Sequence, residues 1–161
     1  MVASIRSWCF ALSAAGLLAA APRAEAGDVT AFMTFPSPSD HWARGYGAAL
    51  TSTWFGTIGL EAEAARVPLE SAEGTMTSFT GSVLLAPPLG LLVPYGGVGI
   101  GVYRQSVSEV GETSTVRTLV LGAKVKVGLL VVRGDYRRIR LGGDPLLPMS
   151  HRLSVGAGIT F

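Results

Sequence analysis

The sequence predicts an all-β chain, an eight-stranded antiparallel up-and-down barrel that crosses a membrane with its strands. Three observations carry this reading. The 161-residue chain has a mean hydropathy of +0.43, yet beyond its N-terminal segment the best apolar stretch, 83–93, is broken by Pro87, Pro88 and Gly90 and cannot form a spanning helix. Segments of about ten residues alternate apolar with polar or small side chains. The connections between those segments alternate between long and short.

The N-terminus reads first as a secretory signal. Arg6 precedes a short apolar run over 8–21, and Ala24-Glu25-Ala26 offers a small-x-small cleavage pattern before Gly27. The run is about fourteen residues, too short for comfortable spanning, where about 20 are needed. The expected organisation is therefore a cleaved signal peptide, 1–26, and one barrel domain, 27–161. Cys9 lies inside the signal, so the mature chain has no cysteine. Disulfides, thiolate metal sites and cysteine nucleophiles are excluded together. The mature charge balance is close to neutral, which leaves no electrostatic footprint for nucleic acid.

The strands follow in order. The first covers 28–35, the second 42–52 and the third 57–66, where Ile58, Leu60, Ala62 and Ala64 oppose Gly59, Glu61, Glu63 and Ala65. The fourth, fifth and sixth cover 75–85, 91–104 and 114–125. In the seventh, Leu130, Val132, Gly134 and Tyr136 face away from Val131, Arg133, Asp135 and Arg137. In the eighth, Leu153, Val155, Ala157, Ile159 and Phe161 share one face, and Ser154, Gly156, Gly158 and Thr160 share the other. In lipid only helices and closed barrels satisfy every backbone N–H and C=O, and in such a barrel the three charges on one face of the seventh segment mark it as the wet, inner one.

The odd connections, 36–41, 67–74, 105–113 and 140–149, are longer and polar. The even ones, 53–56, 86–90 and 126–128, are short. An outer-membrane barrel with both termini in the periplasm shows this alternation. Glycines within strands, as in Tyr95-Gly96-Gly97-Val98-Gly99, make room for large inward side chains in a narrow interior. A phosphate-cradling loop is rejected, because no helix follows it.

With these residues in place, the chain resembles the bacterial outer-membrane β-barrel domain family, small eight-stranded proteins such as the OmpA membrane domain and OmpX. The matching segments are the last strand ending in Phe161, the 94–99 strand, Gly59-Leu60-Glu61-Ala62-Glu63 and Arg133-Gly134-Asp135-Tyr136-Arg137. The resemblance implies that the last strand, with Ile159 and Phe161, is the recognition signal for the barrel-assembly machinery. It specifies fold and location better than biochemical function.

Trp and Tyr favour membrane interfaces. Trp54, Phe55 and Phe161 are expected in a periplasmic girdle, and Trp42, Tyr46, Tyr103 and Tyr136 in an outer one; Phe79 belongs to the lipid face or the core. The third and seventh strands lie across the lumen from each other, so Glu61 and Glu63 are expected to pair with Arg133 and Arg137. Asp135 and Lys124 join, and the network plugs the pore. Unpaired buried charges would cost several kcal/mol each.

Catalysis finds little support. His151 and Ser154 invite comparison with an outer-membrane lipid A deacylase, but a spacing of three puts them on opposite faces. His41 beside Asp40 has no serine placed to act as nucleophile. The residues call for no metal or other cofactor. The outer loops carry Glu70, Glu73, Glu109, Glu112, Arg138, Arg140 and Asp144, and the basic pair favours lipopolysaccharide phosphates. Gly142-Gly143-Asp144-Pro145 reads as a turn only.

The expected function is a non-enzymatic, monomeric outer-membrane barrel with a structural or surface-interaction role. Its partners would be outer-membrane lipids, lipopolysaccharide and, during biogenesis, the assembly machinery. A narrow channel and a lipid-modifying enzyme are the membrane alternatives. A secreted barrel of lipocalin type is the soluble one, because a period of two does not say which face meets lipid.

Overall fold

The computed structural model describes residues 26–37, 42–69, 74–107 and 110–161. The expected signal peptide lies outside them apart from Ala26, as do Asp40, His41, Glu70, Glu73 and Glu109. Eight antiparallel strands run β1 (Ala26–Pro36), β2 (Gly45–Trp54), β3 (Ile58–Pro68), β4 (Gly74–Leu85), β5 (Leu92–Val107), β6 (Val110–Val127), β7 (Leu130–Leu141) and β8 (His151–Thr160). Each pairs with its sequence neighbour, and β1 pairs with β8 to close the barrel.

The alternation in sequence becomes an inside and an outside. Along β3 and β7 every second residue is buried, Glu61 and Glu63 in one strand and Arg133, Asp135 and Arg137 in the other. The intervening positions turn outward, so that Leu60, Phe79, Ile100, Leu121, Val132 and Ile159 are all exposed. An apolar exterior around a charged interior is the reverse of the lipocalin arrangement and removes the soluble alternative.

The two ends differ. At the end near the termini the turns are tight. Phe55 and Gly56 both have positive φ, at 52° and 68°, and Thr57 N–H donates to the Trp54 carbonyl. This is a two-residue turn whose twist matches that of the strands it joins. Gly128 opens the β6–β7 turn with φ 59°. At the opposite end, the mouth, β5 and β6 extend further than expected. The segment 105–113, expected as a loop, is mostly strand, with pairing continuing to Val107↔Val110. Arg138 and Arg140, expected around the fourth loop, stand within β7.

Inward glycines make space where bulky groups enter. A Cβ at Gly122 would lie 2.6 Å from the Asp135 Cβ, 2.6 Å from the Gly134 carbonyl oxygen and 2.7 Å from the Tyr95 ring. Gly47 and Gly156 flank the buried Phe32 ring and side chain in the same way. Gly122→Ala is therefore expected to destabilise the barrel by about 1–3 kcal/mol through overpacking, read as a lower urea midpoint for unfolding in micelles.

Candidate functional site

The barrel interior holds the candidate site, and its construction begins with β3 and β7. These strands lie four apart in the closed order, so their inward side chains meet across the lumen. Arg133 Nη1 donates to Glu61 Oε2 at 2.6 Å and Arg137 Nη2 to Glu61 Oε1 at 2.5 Å. Arg137 also meets Glu63 at 2.8 Å. Asp135 sits between the two guanidiniums, taking Arg133 Nη2 at 2.7 Å on one oxygen and Arg137 Nε at 3.0 Å on the other.

Other strands extend this centre. Arg152 of β8 pairs with Glu63. Lys124 of β6 does not reach Glu61 or Glu63; it donates to both oxygens of Asp28, at 2.8 and 3.0 Å, and to Thr51 Oγ1 at 2.9 Å. Thr51 Oγ1 in turn donates to Glu61 Oε2 at 3.2 Å, which joins the Lys124–Asp28 pair to the arginine cluster. Tyr95 Oη donates to Asp135 Oδ2 at 3.1 Å, and its ring lies 5.5 Å from both Lys124 Nζ and the Arg133 guanidinium carbon. The four cations Lys124, Arg133, Arg137 and Arg152 are matched by Asp28, Glu61, Glu63 and Asp135, and all eight are buried. A balanced, cross-linked cluster is how so much charge is accommodated away from water.

A second layer lies above the network, at the mouth. Trp42, Val67, Met76, Tyr103, Val116 and Ile139 form an apolar cluster that also takes in Met149 of the β7–β8 loop. Side chains hold that loop to the barrel. Gln105 Nε2 donates to the Leu147 carbonyl at 2.7 Å and Gln105 Oε1 accepts from Leu147 N–H at 3.2 Å. Trp42 Nε1 donates to the Pro148 carbonyl at 3.0 Å and Tyr103 Oη to the Gly142 carbonyl at 2.8 Å. Gly142-Gly143-Asp144-Pro145 is thus more than a turn: it opens a segment that folds inward over the lumen.

This layer corrects two expectations. Trp42 and Tyr103 are only 4 % and 1 % exposed, so neither stands in an outer aromatic girdle. Tyr103 has the inward parity of β5. Trp42 precedes β2, makes an isolated bridge with Leu69 and turns its ring into the mouth. The other interface candidates are placed differently: Tyr46 and Tyr136 face outward towards the mouth end, and Phe55 and Phe161 are exposed at the end near the termini. Trp54, partly exposed, closes its turn by donating from Nε1 to Ser52 Oγ at 3.0 Å.

Phe161 N–H and carbonyl exchange hydrogen bonds with Gly27 at 2.9 and 2.8 Å, beside the exposed Ile159. His151 and Ser154 lie on opposite sides of the sheet. The imidazole is outside, 5.9 Å from the Tyr136 ring, and Ser154 is buried inside. No serine–histidine relay forms between them.

Sequence reasoning missed Asp28, Thr51, Tyr95 and Arg152 as members of the network. The first two and the last carry a parity signal, since Asp28 alternates with Thr30, Thr51 with Ala49, and Arg152 with Ser154, all on inward faces. Tyr95 has no such signal within its glycine-rich strand.

No protein-family model matches the sequence, and no curated protein matches it. Solved structures do. The N-terminal β-barrel domain of Pseudomonas aeruginosa OprF is 16 % identical, with a TM-score of 0.58, over 84 % of this chain and 97 % of that one. Neisserial surface protein A is 14 % identical, with a TM-score of 0.62, over 84 % and 93 %. The outer membrane protein OprG from P. aeruginosa is 13 % identical, with a TM-score of 0.58, over 84 % and 94 %. At these identities the likeness is one of architecture: the chain has the fold of the small eight-stranded outer-membrane barrels of the OmpA and OmpX type.

Proposed function

We propose that the chain is a non-enzymatic integral protein of the bacterial outer membrane with a structural or surface-interaction role, its lumen closed to solutes. The observation that carries this reading is the double closure, a neutral buried ion-pair network crossed from β3 to β7 beneath an apolar cluster that draws in the β7–β8 loop. A conduit needs an unobstructed polar path, and both layers interrupt it. The apolar exterior and the fold shared with outer-membrane barrels support the location. In this reading residues 1–26 are removed on export, Ile159 and Phe161 present the last strand to the assembly machinery, and Tyr46, Trp54, Phe55 and Tyr136 sit at the two interfaces.

The test is a gel of the detergent-extracted membrane fraction with and without boiling, followed by planar-bilayer recording. The expected result is a heat-dependent mobility shift in outer-membrane material and no single-channel steps. Soluble periplasmic protein without a shift would overturn the location. Discrete conductance steps would overturn the closed lumen and favour a narrow channel.

A further inference from the structure

The barrel's outer surface has its own charge pattern. Among the described residues the exposed basic side chains are six arginines, Arg44, Arg66, Arg104, Arg117, Arg138 and Arg140, all on the half of the barrel towards the mouth. The strand carboxylates, Asp28, Glu61, Glu63, Glu112 and Asp135, all belong to the inward-facing set. Among the described residues the outer faces of the strands therefore present cations at one end and no carboxylates, while Asp144 is exposed in the β7–β8 loop.

The arginines crowd most on β6 and β7, with His151 of β8 beside them. Arg117 stands directly across from Arg140, and Arg138 directly across from His151. Like charges opposite one another on a sheet repel, a cost that an anion between them turns into a gain. The Arg117–Arg140 guanidinium pair, with Arg138 at the next outward position of β7, suits a phosphate, which each guanidinium contacts through two N–H groups.

A second feature lies below the cluster on the same strands. A shallow, open groove lies on the exterior over β7, β8 and β1. Ala31 and Ala157, paired with each other, form its floor, and Met33, Val132 and Val155 form its walls. Val155 is four residues from His151, about 13 Å at 3.3 Å per residue, which is within the outer half of a hydrocarbon core about 30 Å thick. Between cluster and groove the outward row is Tyr136 paired with Leu153, both exposed. Below them Gly134 is exposed opposite Val155, and a Cβ there would meet nothing nearer than 4.0 Å, so an acyl chain that passes over Tyr136 and Leu153 enters the groove unobstructed on that side.

We propose that this face binds one phosphorylated, acylated glycolipid of the outer leaflet, a lipopolysaccharide molecule. Arg117, Arg138 and Arg140 take a phosphate, and an acyl chain lies in the groove below. The inference rests on the outer-membrane reading above. Phosphate chemistry alone selects the arginines; the groove at acyl-chain depth selects a lipid over a free anion.

The experiment uses the full barrel in detergent micelles and measures binding of purified lipopolysaccharide, of its dephosphorylated form, of phosphatidylglycerol and of inorganic phosphate. Heat-dependent gel mobility checks every sample for the closed barrel. Arg117→Gln/Arg138→Gln/Arg140→Gln is expected to weaken lipopolysaccharide binding by about tenfold or more, as the loss of several charge-assisted hydrogen bonds predicts. Arg66→Gln/Arg104→Gln, elsewhere on the rim, is expected to leave it nearly unchanged. Ala157→Leu, which fills the groove from the exposed face, is expected to weaken lipopolysaccharide binding without affecting inorganic phosphate.

Equal loss in both arginine variants would overturn the site in favour of diffuse surface charge. Equal competition by phosphatidylglycerol would overturn the glycolipid assignment, and unchanged lipopolysaccharide binding in the triple variant with a normal mobility shift would overturn the proposal outright. Absence of the shift in the unsubstituted protein would instead bring down the outer-membrane reading on which the proposal stands.

Discussion

Arg137→Ala is expected to lower the free energy of unfolding by about 3–5 kcal/mol, the cost of leaving buried carboxylates without their cation. Arg137 is wholly buried and touches Glu61, Glu63 and Asp135, three of the four anions in the lumen. Its removal leaves Glu63 with Arg152 alone, crowds Glu61 and Asp135 onto Arg133, and gives the interior one uncompensated negative charge. Urea titration of the purified barrel in micelles, followed by the mobility of unheated samples, reads the loss.

A companion variant separates charge from volume. Arg137→Met/Glu61→Gln removes one cation and one anion while keeping side-chain bulk and leaves Arg133 with Asp135, Arg152 with Glu63 and Lys124 with Asp28; it is expected to recover a large part of the stability, because a buried pair replaced as a pair costs far less than one that is broken. If the single and double variants were equally destabilised, packing rather than charge balance would govern the interior.

Trp42→Ala is expected to have the next largest effect, about 3–5 kcal/mol for a large buried aromatic truncated in a packed cluster. The indole fills the apolar layer at the mouth, and its N–H is one of the bonds that hold the β7–β8 loop. The same substitution therefore loosens residues 142–150, and protease cleavage within that segment is expected to accelerate while the barrel core stays resistant. Conductance is expected to remain absent, because the ion-pair network below is untouched. Channel activity from Trp42→Ala alone would mean that the mouth layer is the only barrier to solutes.

The strand pattern was legible because a two-residue period leaves charged and apolar side chains on opposite faces over ten or more residues. Glu61, Glu63, Arg133, Asp135 and Arg137 could be brought together from strand order alone, since β3 and β7 must oppose each other when eight strands close. The direct partner of Lys124 was not legible, because height in a barrel depends on the stagger between strands, which chain counting does not supply; the stagger puts its ammonium at Asp28, and Thr51 links it on to Glu61. The mouth was least legible. Residue type suggests an interface for Trp42 and Tyr103, whereas Tyr103 follows the inward parity of β5 and Trp42 is covered by a loop whose inward fold depends on Gln105 and on carbonyls that carry no side-chain signature. The arginine cluster on the outer face fell between these cases: Arg138 and Arg140 stood out as basic, but Arg117 becomes their neighbour only through the β6–β7 register.

The topology also bears on how the barrel forms. Seven of its strand pairings join neighbours in sequence and are favoured by short loops, whereas the β1–β8 pairing, running from Asp28↔Thr160 to Pro36↔Arg152, spans almost the whole described chain. Until that seam zips, β1 and β8 are open edges that invite pairing with other chains. Lys124–Asp28, Arg152–Glu63 and the β3–β7 pairs link strands that are far apart in an uncurled sheet. They come within reach only as the sheet curls shut, so the charged interior acts as a latch: it adds little to any one hairpin and makes the last step all-or-none.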